Sequence, residues 1–574
     1  MALGMRVRRL LCASFLASRV VCGQQQAEPD QAVTRVPPPR PFVLPPRIGV
    51  FTDKELTLQD ALAMALANNK DIDSSRIDRD KALNNVLGAK GSFDPRIGGT
   101  TSFQKNVTPV ASTLGGSATG AVTSRNGIAD PQFSGSLPWL GTTYQLDFSS
   151  SRTTTNNSFA QLNPQYPTSL NFSFTQPLWR NLRYDDNRHK LEVAKKNVSL
   201  TDEQFRQRVM QIVTQTEQAY WDLAFTYGNL AVQLDAVRIG REQDESNRRQ
   251  QEQGLLAPID VVAAQRQLAT FEVNAYSAQE ALTAAENALK TLILPDRTDP
   301  TWSSALIPIT PVNVSPPVTP LQDAVREGLT NRPELAQVQI SGEINETDNR
   351  YYHEQTKPQV DLTATHTNAG LAGIQLPAGP NPFTAGQVAL TDRLNELSLL
   401  AGLQPLPSTG GGFTGGGLPP LLVGSYGQSV SNIFNNSFPT TQVQLRISLP
   451  LRNRTAEANL NNSLAETRRI RNQRQQTEQS IEASVRNAMQ SVESAKARLE
   501  SSRVARESAE EQYQSEQRQF RAGTSTLFLV QQRQSDMITA RSQERRAEAD
   551  LGKAIATFEL ATGTILQTNN IQLR

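Results

Sequence analysis

The sequence is poor in the residues that most often carry chemistry. It contains only two cysteines and three histidines in 574 residues. Cys12 and Cys22 lie so near the N-terminus that a chain shortened there keeps no thiol. The histidines stand in different segments without the spacing of a metal site, and no GxSxG, HExxH or Walker pattern occurs. We therefore expect no enzyme, no catalytic residue, no metal site and no cofactor.

Neither sign of charge is in excess, and long apolar runs are missing. With 57 basic and 55 acidic residues, the chain has no global electrostatic attraction to nucleic acid. No run of about 20 apolar residues follows the N-terminal segment, so no transmembrane helix is encoded. Only 37% of residues are hydrophobic and the mean hydropathy is -0.45, so either the molecule is elongated or its interior is unusual.

The N-terminus is typical of an exported protein. In MALGMRVRRLLCASFLASRVVCG, residues 1–23, three arginines precede a short apolar run that Arg19 interrupts, which predicts a signal peptide cut after Gly23. Acylation at Cys22, as in a bacterial lipoprotein, is the alternative, but the preceding Arg-Val-Val suits it poorly. Residues 24–55 are proline-rich and predict an extended linker.

One stretch of sequence occurs twice. LTLQDALAMALANNKDI at 56–72 returns 263 positions later as PLQDAVREGLTNRPEL. Leu58, Gln59, Asp60, Ala61, Leu66 and Asn68 align without a gap with Leu321, Gln322, Asp323, Ala324, Leu329 and Asn331. The match predicts two internal repeats, 56–310 and 311–565, followed by a C-terminal tail at 566–574.

Apolar residues spaced alternately by three and four positions predict long helices that pack as coiled coils. The predicted helices span about 56–91, 179–253, 259–293, 321–356, 452–522 and 526–562. In the first long helix the seam comprises Val209, Val213, Thr216, Tyr220, Leu223, Tyr227, Leu230, Leu234 and Val237. A long helix of on the order of 110 Å matches two shorter helices laid end to end. This predicts a helical cylinder with strands at one end and helix-turn-helix tips at the other.

Alternation of apolar and polar residues predicts strands with one apolar face. The apolar positions are Leu170, Phe172 and Phe174 in one half and Val443, Leu445 and Ile447 in the other. Strands are predicted at about 96–105, 168–177, 359–367 and 441–450, and 135–151 could add a hairpin. The apolar face is either buried in a soluble sandwich or turned to lipid in a barrel. Four strands cannot close a barrel, so a barrel would be shared between subunits.

A long insert and the two helix tips remain outside this pattern of long helices and strands. Residues 368–438, with GGGFTGGG at 410–417, lack the phosphate-binding GxxxxGK[ST] pattern and predict a flexible external loop. The helix tips read GLLAPID from Gly254 and GTSTLFL from Gly523, each glycine ending one helix before the next begins. The tips are either ordinary helix-turn-helix connections or the end of a tube, where a partner would dock or a pore would close.

The repeated helix starts, the strand endings TQPLWRN and SLPLRNR, and the tips GLLAPIDVV and GTSTLFLV together resemble the TolC-like outer membrane efflux protein family. The resemblance extends from about 56 to 565. It implies a mixed α and β fold: a homotrimer whose shared transmembrane β-barrel, in the outer membrane of a Gram-negative-type bacterium, continues into a long α-helical coiled-coil periplasmic tunnel. The chain would be the passive exit duct of a tripartite efflux or type I secretion system.

The resemblance also assigns partners and site residues. The periplasmic adaptor, which links the duct to an inner membrane transporter, would dock on the tips. These tip residues are Gly254, Leu255, Leu256, Ala257 and Pro258, with Gly523, Thr524, Ser525 and Thr526. Asp260, Leu529 and Gln532 would line the pore constriction, and the six alternating apolar residues named above would face outer membrane lipid. Leu529 and Gln532 replace acidic residues of some members, so we expect apolar closure around Leu529 rather than a strongly cation-selective gate.

A second interpretation belongs to a different class of protein. An exported coiled-coil protein, structural or adhesive, would bury its apolar strand faces in a soluble β domain. Extraction only with detergent from outer membrane fractions would favour the duct, and recovery from the periplasm or the medium would favour the soluble protein.

Overall fold

The computed structural model describes residues 41–111, 116–117, 119–311, 319–376, 385–406 and 418–572. The predicted signal peptide with Cys22, the start of the proline-rich linker and the glycine-rich stretch at 410–417 lie outside these residues.

The six predicted helical segments are helical, and their ends fall close to the predicted positions except at the start of the first long helix, which begins at Asp186 and not at 179. The first half contains α1 (Leu58–Asn68), α2 (Lys70–Lys90), α3 (Asp186–Glu252) and α4 (Pro258–Ile293). The second half contains α5 (Leu321–Asn331), α6 (Pro333–Gln355), then α7 (Ala385–Leu400) and α8 (Tyr426–Phe434), and finally α9 (Arg454–Arg521), α10 (Leu527–Thr562) and α11 (Ile565–Thr568). At 67 and 68 residues, α3 and α9 are each about 100 Å long. No described helix is both long and apolar enough to cross a membrane.

The prediction of unbroken helices at 56–91 and 321–356 is wrong. The first breaks at Asn69, which is extended and whose Oδ1 accepts hydrogen bonds from the amides of Asp71 and Ile72, 2.9 and 3.4 Å away. The second breaks at Arg332 because Pro333 disfavours a helical residue before it and opens α6 as its first residue. Both breaks therefore have a local chemical cause.

The strands form one large and one small sheet. The large sheet contains β2 (Arg96–Pro109), β3 (Ala121–Ser136), β4 (Thr143–Thr155), β5 (Leu162–Pro177), β7 (Gln359–Gln375) and β8 (Phe438–Ser448). These strands are antiparallel neighbours in that order. The possible hairpin near 135–151 is present as the longer pair β3–β4.

The small sheet was not predicted. It pairs β1 (Thr52–Leu56) in parallel with β6 (Ser304–Pro308). Residues 52–55 pair with β6, so the prediction that residues 24–55 are only an extended linker is wrong for the last part of that segment. Local composition gave no signal for this pairing, since its partner strand lies some 250 residues away.

The prediction of a loop over 368–438 is also wrong in part. The strand β7 continues to Gln375, and α7 and α8 lie in the same segment. Helix α8 packs on the sheet: the hydroxyls of Ser429 and Thr168 are 2.8 Å apart, and a Cβ at Gly370 would collide with the Ser429 carbonyl. Tertiary contact with the strands stabilises this short helix.

The helical core follows the predicted seams with one exception. Short helices pack along long ones, α2 and α4 against α3, and α6 and α10 against α9. The seam residues Val209, Val213, Tyr220 and Leu223 are fully buried, whereas Tyr227 is exposed. The seam prediction at Tyr227 is wrong because α3 there borders an open hollow.

Candidate functional site

The large sheet has one apolar and one polar face. In β5, Leu170, Phe172 and Phe174 share a face, and their cross-strand partners on β4 are Phe148, Leu146 and Tyr144. On the far side of β7, Val443, Leu445 and Ile447 of β8 oppose Ala364, Leu362 and Val360. Because residues that pair across strands lie on the same face, the structure brings all six predicted lipid-facing residues onto one surface.

This apolar face is exposed over much of its width. Ile97 on β2 is 85% exposed and Val443 on β8 is 68% exposed, and Phe172 in the middle of the sheet is 45% exposed. The opposite face carries serine, threonine, asparagine and glutamine at the alternate positions. Such a large exposed apolar surface marks a contact with lipid or another chain.

The edges of the sheet are also open. The strands β2 and β8 are the terminal strands of the sheet, and each pairs on one side only within the described residues. Their free edges offer unpaired backbone groups, which edge strands use to pair with another chain.

The two helix tips have the same backbone turn. After α3, Gly254 has a φ of 76°, its amide donates to the Gln251 carbonyl at 2.9 Å, and the Leu255 amide donates to the Gln250 carbonyl at 2.8 Å. After α9, Gly523 has a φ of 79°, and the equivalent bonds from Gly523 and Thr524 are both 3.0 Å. In both tips this left-handed glycine cap supplies hydrogen-bond donors to carbonyls at the end of the preceding helix.

The chemistry of the two tips differs. The first tip enters α4 through Pro258 and exposes Leu255 and Ile259. In the second, the Thr526 hydroxyl accepts the Leu529 amide at 3.4 Å, and Ser525 bonds Glu516. Both tips thus present predicted docking residues to solvent, Leu255 in the first and Thr524 and Thr526 in the second, and the second tip also exposes Phe528.

A sequence profile of the outer membrane efflux protein family matches residues 121–293 and 421–564, more than half of the chain. The chain belongs to the outer membrane efflux protein family. This confirms the resemblance stated from the sequence.

Solved structures of low sequence identity have the same fold. The CusC channel is 15% identical, with 93% of this chain and 99% of that chain covered and a TM-score of 0.60. The outer membrane channel CmeC of Campylobacter jejuni is 13% identical over 92% and 93%, with a TM-score of 0.59. The outer membrane protein VceC of Vibrio cholerae is 15% identical over 88% and 96%, with a TM-score of 0.57. Comparison with curated protein sequences gives no match.

The three predicted constriction residues of this efflux family member lie in the first turns after the tips. Asp260 of α4 and Leu529 of α10 each stand six residues after their tip glycine. Leu529 is 41% exposed. Gln532 donates to Asp536 at 3.0 Å, and Arg533 lies 3.6 Å from the other oxygen of Asp536.

Sequence reasoning missed two sets of residues. Asp536 places a carboxylate one helical turn beyond Gln532, and i to i+4 spacing could have found it. The hairpin β3–β4 adds Phe133, Leu146 and Phe148 to the apolar face. The alternation in TYQLDF is the sequence signal for this hairpin.

A hollow of about 890 Å³ lies beside Trp221 and Tyr227. Its charged groups pair with one another: Arg541 contacts Asp235 at 2.9 Å and Glu510 at 2.7 Å. The same groups join α3, α9 and α10, so they are explained as structural ion pairs between the two helical hairpins.

Proposed function

We propose that the chain is one subunit of a homotrimeric channel in the outer membrane, the passive exit duct of a tripartite efflux or type I secretion system. In this proposal the large sheet lies in the membrane and the helices extend into the periplasm. The chain supplies the conduit, and an inner membrane transporter supplies the energy.

The observation that carries the proposal is an open-edged, six-stranded sheet with an exposed apolar face. An open sheet edge cannot remain in lipid, because unsatisfied backbone groups cost several kcal/mol each there. Pairing of β8 with β2 of the next chain would satisfy both edges. Three chains of six strands each would close an 18-stranded barrel, within the range of known membrane barrels.

The tips are proposed to dock the periplasmic adaptor. Exposed Leu255 and Ile259 on one tip and Phe528 on the other supply apolar contact area, which association of helical hairpins requires. Asp260, Leu529 and Gln532 would then narrow the tunnel where the helices converge. The two repeats, 56–310 and 311–565, would act as near-equivalent parts of one tunnel wall.

The alternative of an exported coiled-coil protein with a soluble β domain requires a cover for the apolar face. Within the described residues, α8 covers only the outer end of β5 and β7. Ile97, Val443 and Leu445 remain exposed, which favours the membrane duct.

Paired substitutions on adjacent residues of β8 test this proposal. Leu445 lies on the apolar face and Gln444 on the polar face. Arginine at position 445 would face lipid at a cost of about 2–4 kcal/mol near the bilayer midplane, whereas arginine at 444 would face the water-filled lumen. We expect Leu445→Arg to abolish trimer recovery from outer membrane fractions, and Gln444→Arg to retain the trimer and change its single-channel conductance.

The measurements are fractionation, the mass of the detergent-solubilised assembly and conductance in planar bilayers. Recovery of the unaltered chain from the soluble periplasmic fraction would contradict the proposal. Equal tolerance of both arginines would contradict it as well.

A further inference from the structure

Three cations lie together on the apolar face of the sheet, toward the end that points away from the helices. Lys105 of β2 is the direct cross-strand partner of Arg125 of β3. Arg152 of β4 opposes Gly127, the adjacent residue of β3 on the same face. All three side chains are exposed, and none forms an ion pair with another described residue.

The charges of the sheet are segregated by face. The three acidic residues in its strands, Asp130, Asp147 and Asp361, alternate onto the polar face together with Arg96 and Arg446. Every full charge on the apolar side of the described strands is therefore positive, and all belong to the Lys105, Arg125 and Arg152 cluster.

The cluster borders a hollow of about 380 Å³. It is lined by Lys105, Thr123, Arg125, Thr154, Thr155 and Asn156. Asn156 fixes one wall, because its side chain accepts the Thr123 amide at 2.7 Å and donates to the Ala121 carbonyl at 3.3 Å. Cationic donors beside threonine hydroxyls form the set that binds phosphate oxygens.

The cluster also lies where lipid headgroups would begin. On β4, Arg152 follows Phe148 by four residues on the same face, and on β3, Arg125 precedes Ala129 by four. This places Arg152 and Arg125 about 13 Å along their strands beyond these two apolar positions. On β2, Lys105 lies directly between Phe103 and Val107, which are exposed on the same face. Lys and Arg side chains at such a boundary keep their stems on apolar surface and extend their charged ends toward polar groups.

We propose that Lys105, Arg125 and Arg152 bind the phosphorylated headgroup of an outer-leaflet lipid whose acyl chains cover the adjacent apolar band. This inference depends on the proposed outer membrane function, which fixes the apolar face toward lipid. The occupant is a lipid rather than free phosphate because the cationic hollow is continuous with the exposed apolar surface. A headgroup with phosphomonoesters suits three clustered cations, since each such phosphate carries a charge of about -1.5 to -2 at neutral pH.

Native mass spectrometry of the detergent-solubilised protein tests this inference without requiring membrane insertion. The probes are diphosphoryl lipid A, monophosphoryl lipid A and phosphatidylcholine at equal concentration. The test variant is Arg125→Gln/Arg152→Gln, and the matched control is Arg96→Gln/Arg446→Gln, which removes two arginines from the polar face of the same sheet. We expect the unaltered protein and the control to prefer diphosphoryl lipid A, and the test variant to lose about ten- to thirtyfold in its relative retention.

Three results would overturn the inference: no preference for the phosphorylated lipid, equal loss in test and control variants, or complete displacement by millimolar inorganic phosphate. Bilayer conductance is measured on the same samples. Lipid preference without conductance would count against the proposed duct alone, and conductance without lipid preference would count against the lipid site alone.

Discussion

The two returning helices, α4 and α10, place opposite charges at the same distance from their tips. Lys290 and Glu559 each lie 36 residues after the tip glycine, Gly254 or Gly523. Both side chains are buried. Two hairpins with the same turn and length therefore bury charge in different ways. The buried Lys290 is surrounded by oxygen acceptors, whereas the buried Glu559 lies near another carboxyl.

Lys290 is fully compensated. Its ammonium lies 2.6 Å from Glu286 on the same helix and donates to the carbonyls of Ser304 at 2.6 Å and Trp302 at 3.0 Å. Arg47 contacts the other oxygen of Glu286 at 2.5 Å. The buried cation therefore anchors the unpredicted strand β6 to α4.

Within the part of the chain that the structure describes, no cation pairs with Glu559. Burial, and secondarily the charge of Glu217 on α3, raise the pKa of the Glu559 carboxyl to about 7. Burial likewise raises the pKa of Glu217 to about 7, against the opposing effect of a hydrogen bond from Asn569. Two carboxyls thus interact between α3 and α10, and no described lysine or arginine forms an ion pair with either of them.

The largest effect is expected from breaking the compensated site. Lys290→Met leaves two backbone carbonyls and one oxygen of Glu286 without their donor, so we expect a loss of about 3–5 kcal/mol in the free energy of unfolding. The control is Lys190→Met, which removes an exposed lysine paired with Asp186 at the same i, i+4 spacing and should leave the transition unchanged. Thermal unfolding followed by circular dichroism in detergent measures both, and equal shifts would contradict the assignment.

A smaller effect of opposite sign is expected from Glu559→Gln. Because the folded state holds this proton more tightly than the unfolded state, the stability from Glu559 is complete below about pH 4.5, falls as pH rises and is lost above about pH 7. Glutamine mimics the neutral form, so the variant should gain about 1–3 kcal/mol at pH 8 and nothing at pH 4.

The control for the pH effect is Glu343→Gln. Its hydrogen bond from Lys196 lowers the pKa of the Glu343 carboxyl, so this variant should show no gain at pH 8. Chemical denaturation at both pH values separates the cases. A Glu559→Gln gain that is independent of pH would show that packing, and not protonation, is responsible.

The helices could be predicted because their signal is local and long. Seams such as Ile481, Val485 and Ala488 repeat over many turns and are buried as expected. The strand pair β1–β6 could not be predicted, since five-residue strands such as TDKEL carry no alternation. The breaks at Asn69 and Arg332 are harder to predict, because a capping Asn or a Pro such as Pro333 inside an apolar repeat competes with the repeat itself.

The candidate site was predictable in part for the same reason. Alternation alone placed Leu170 and Phe172 on the apolar face of one strand and Leu445 on that of another, and glycines alone located both tips. That the two strands share one apolar surface follows from their pairing through β7. The lipid-facing and docking roles of these residues remain predictions. The cationic cluster could not be found from sequence, because Lys105, Arg125 and Arg152 come together only through the pairing of three strands.

The smallest effect is expected at the tips. Asp260 in the first hairpin and Leu529 in the second occupy equivalent positions, each six residues after its tip glycine. If both positions line the constriction, Leu529→Asp adds three carboxylates to a trimeric pore and Asp260→Leu removes three. We expect the first to raise the cation-to-anion permeability ratio about two- to fivefold at low salt and the second to lower it, with both effects shrinking at 1 M salt. Reversal potentials in planar bilayers measure the ratio. The double swap should return it toward the starting value, and strong cation selectivity already present in the unaltered channel would argue against apolar closure around Leu529.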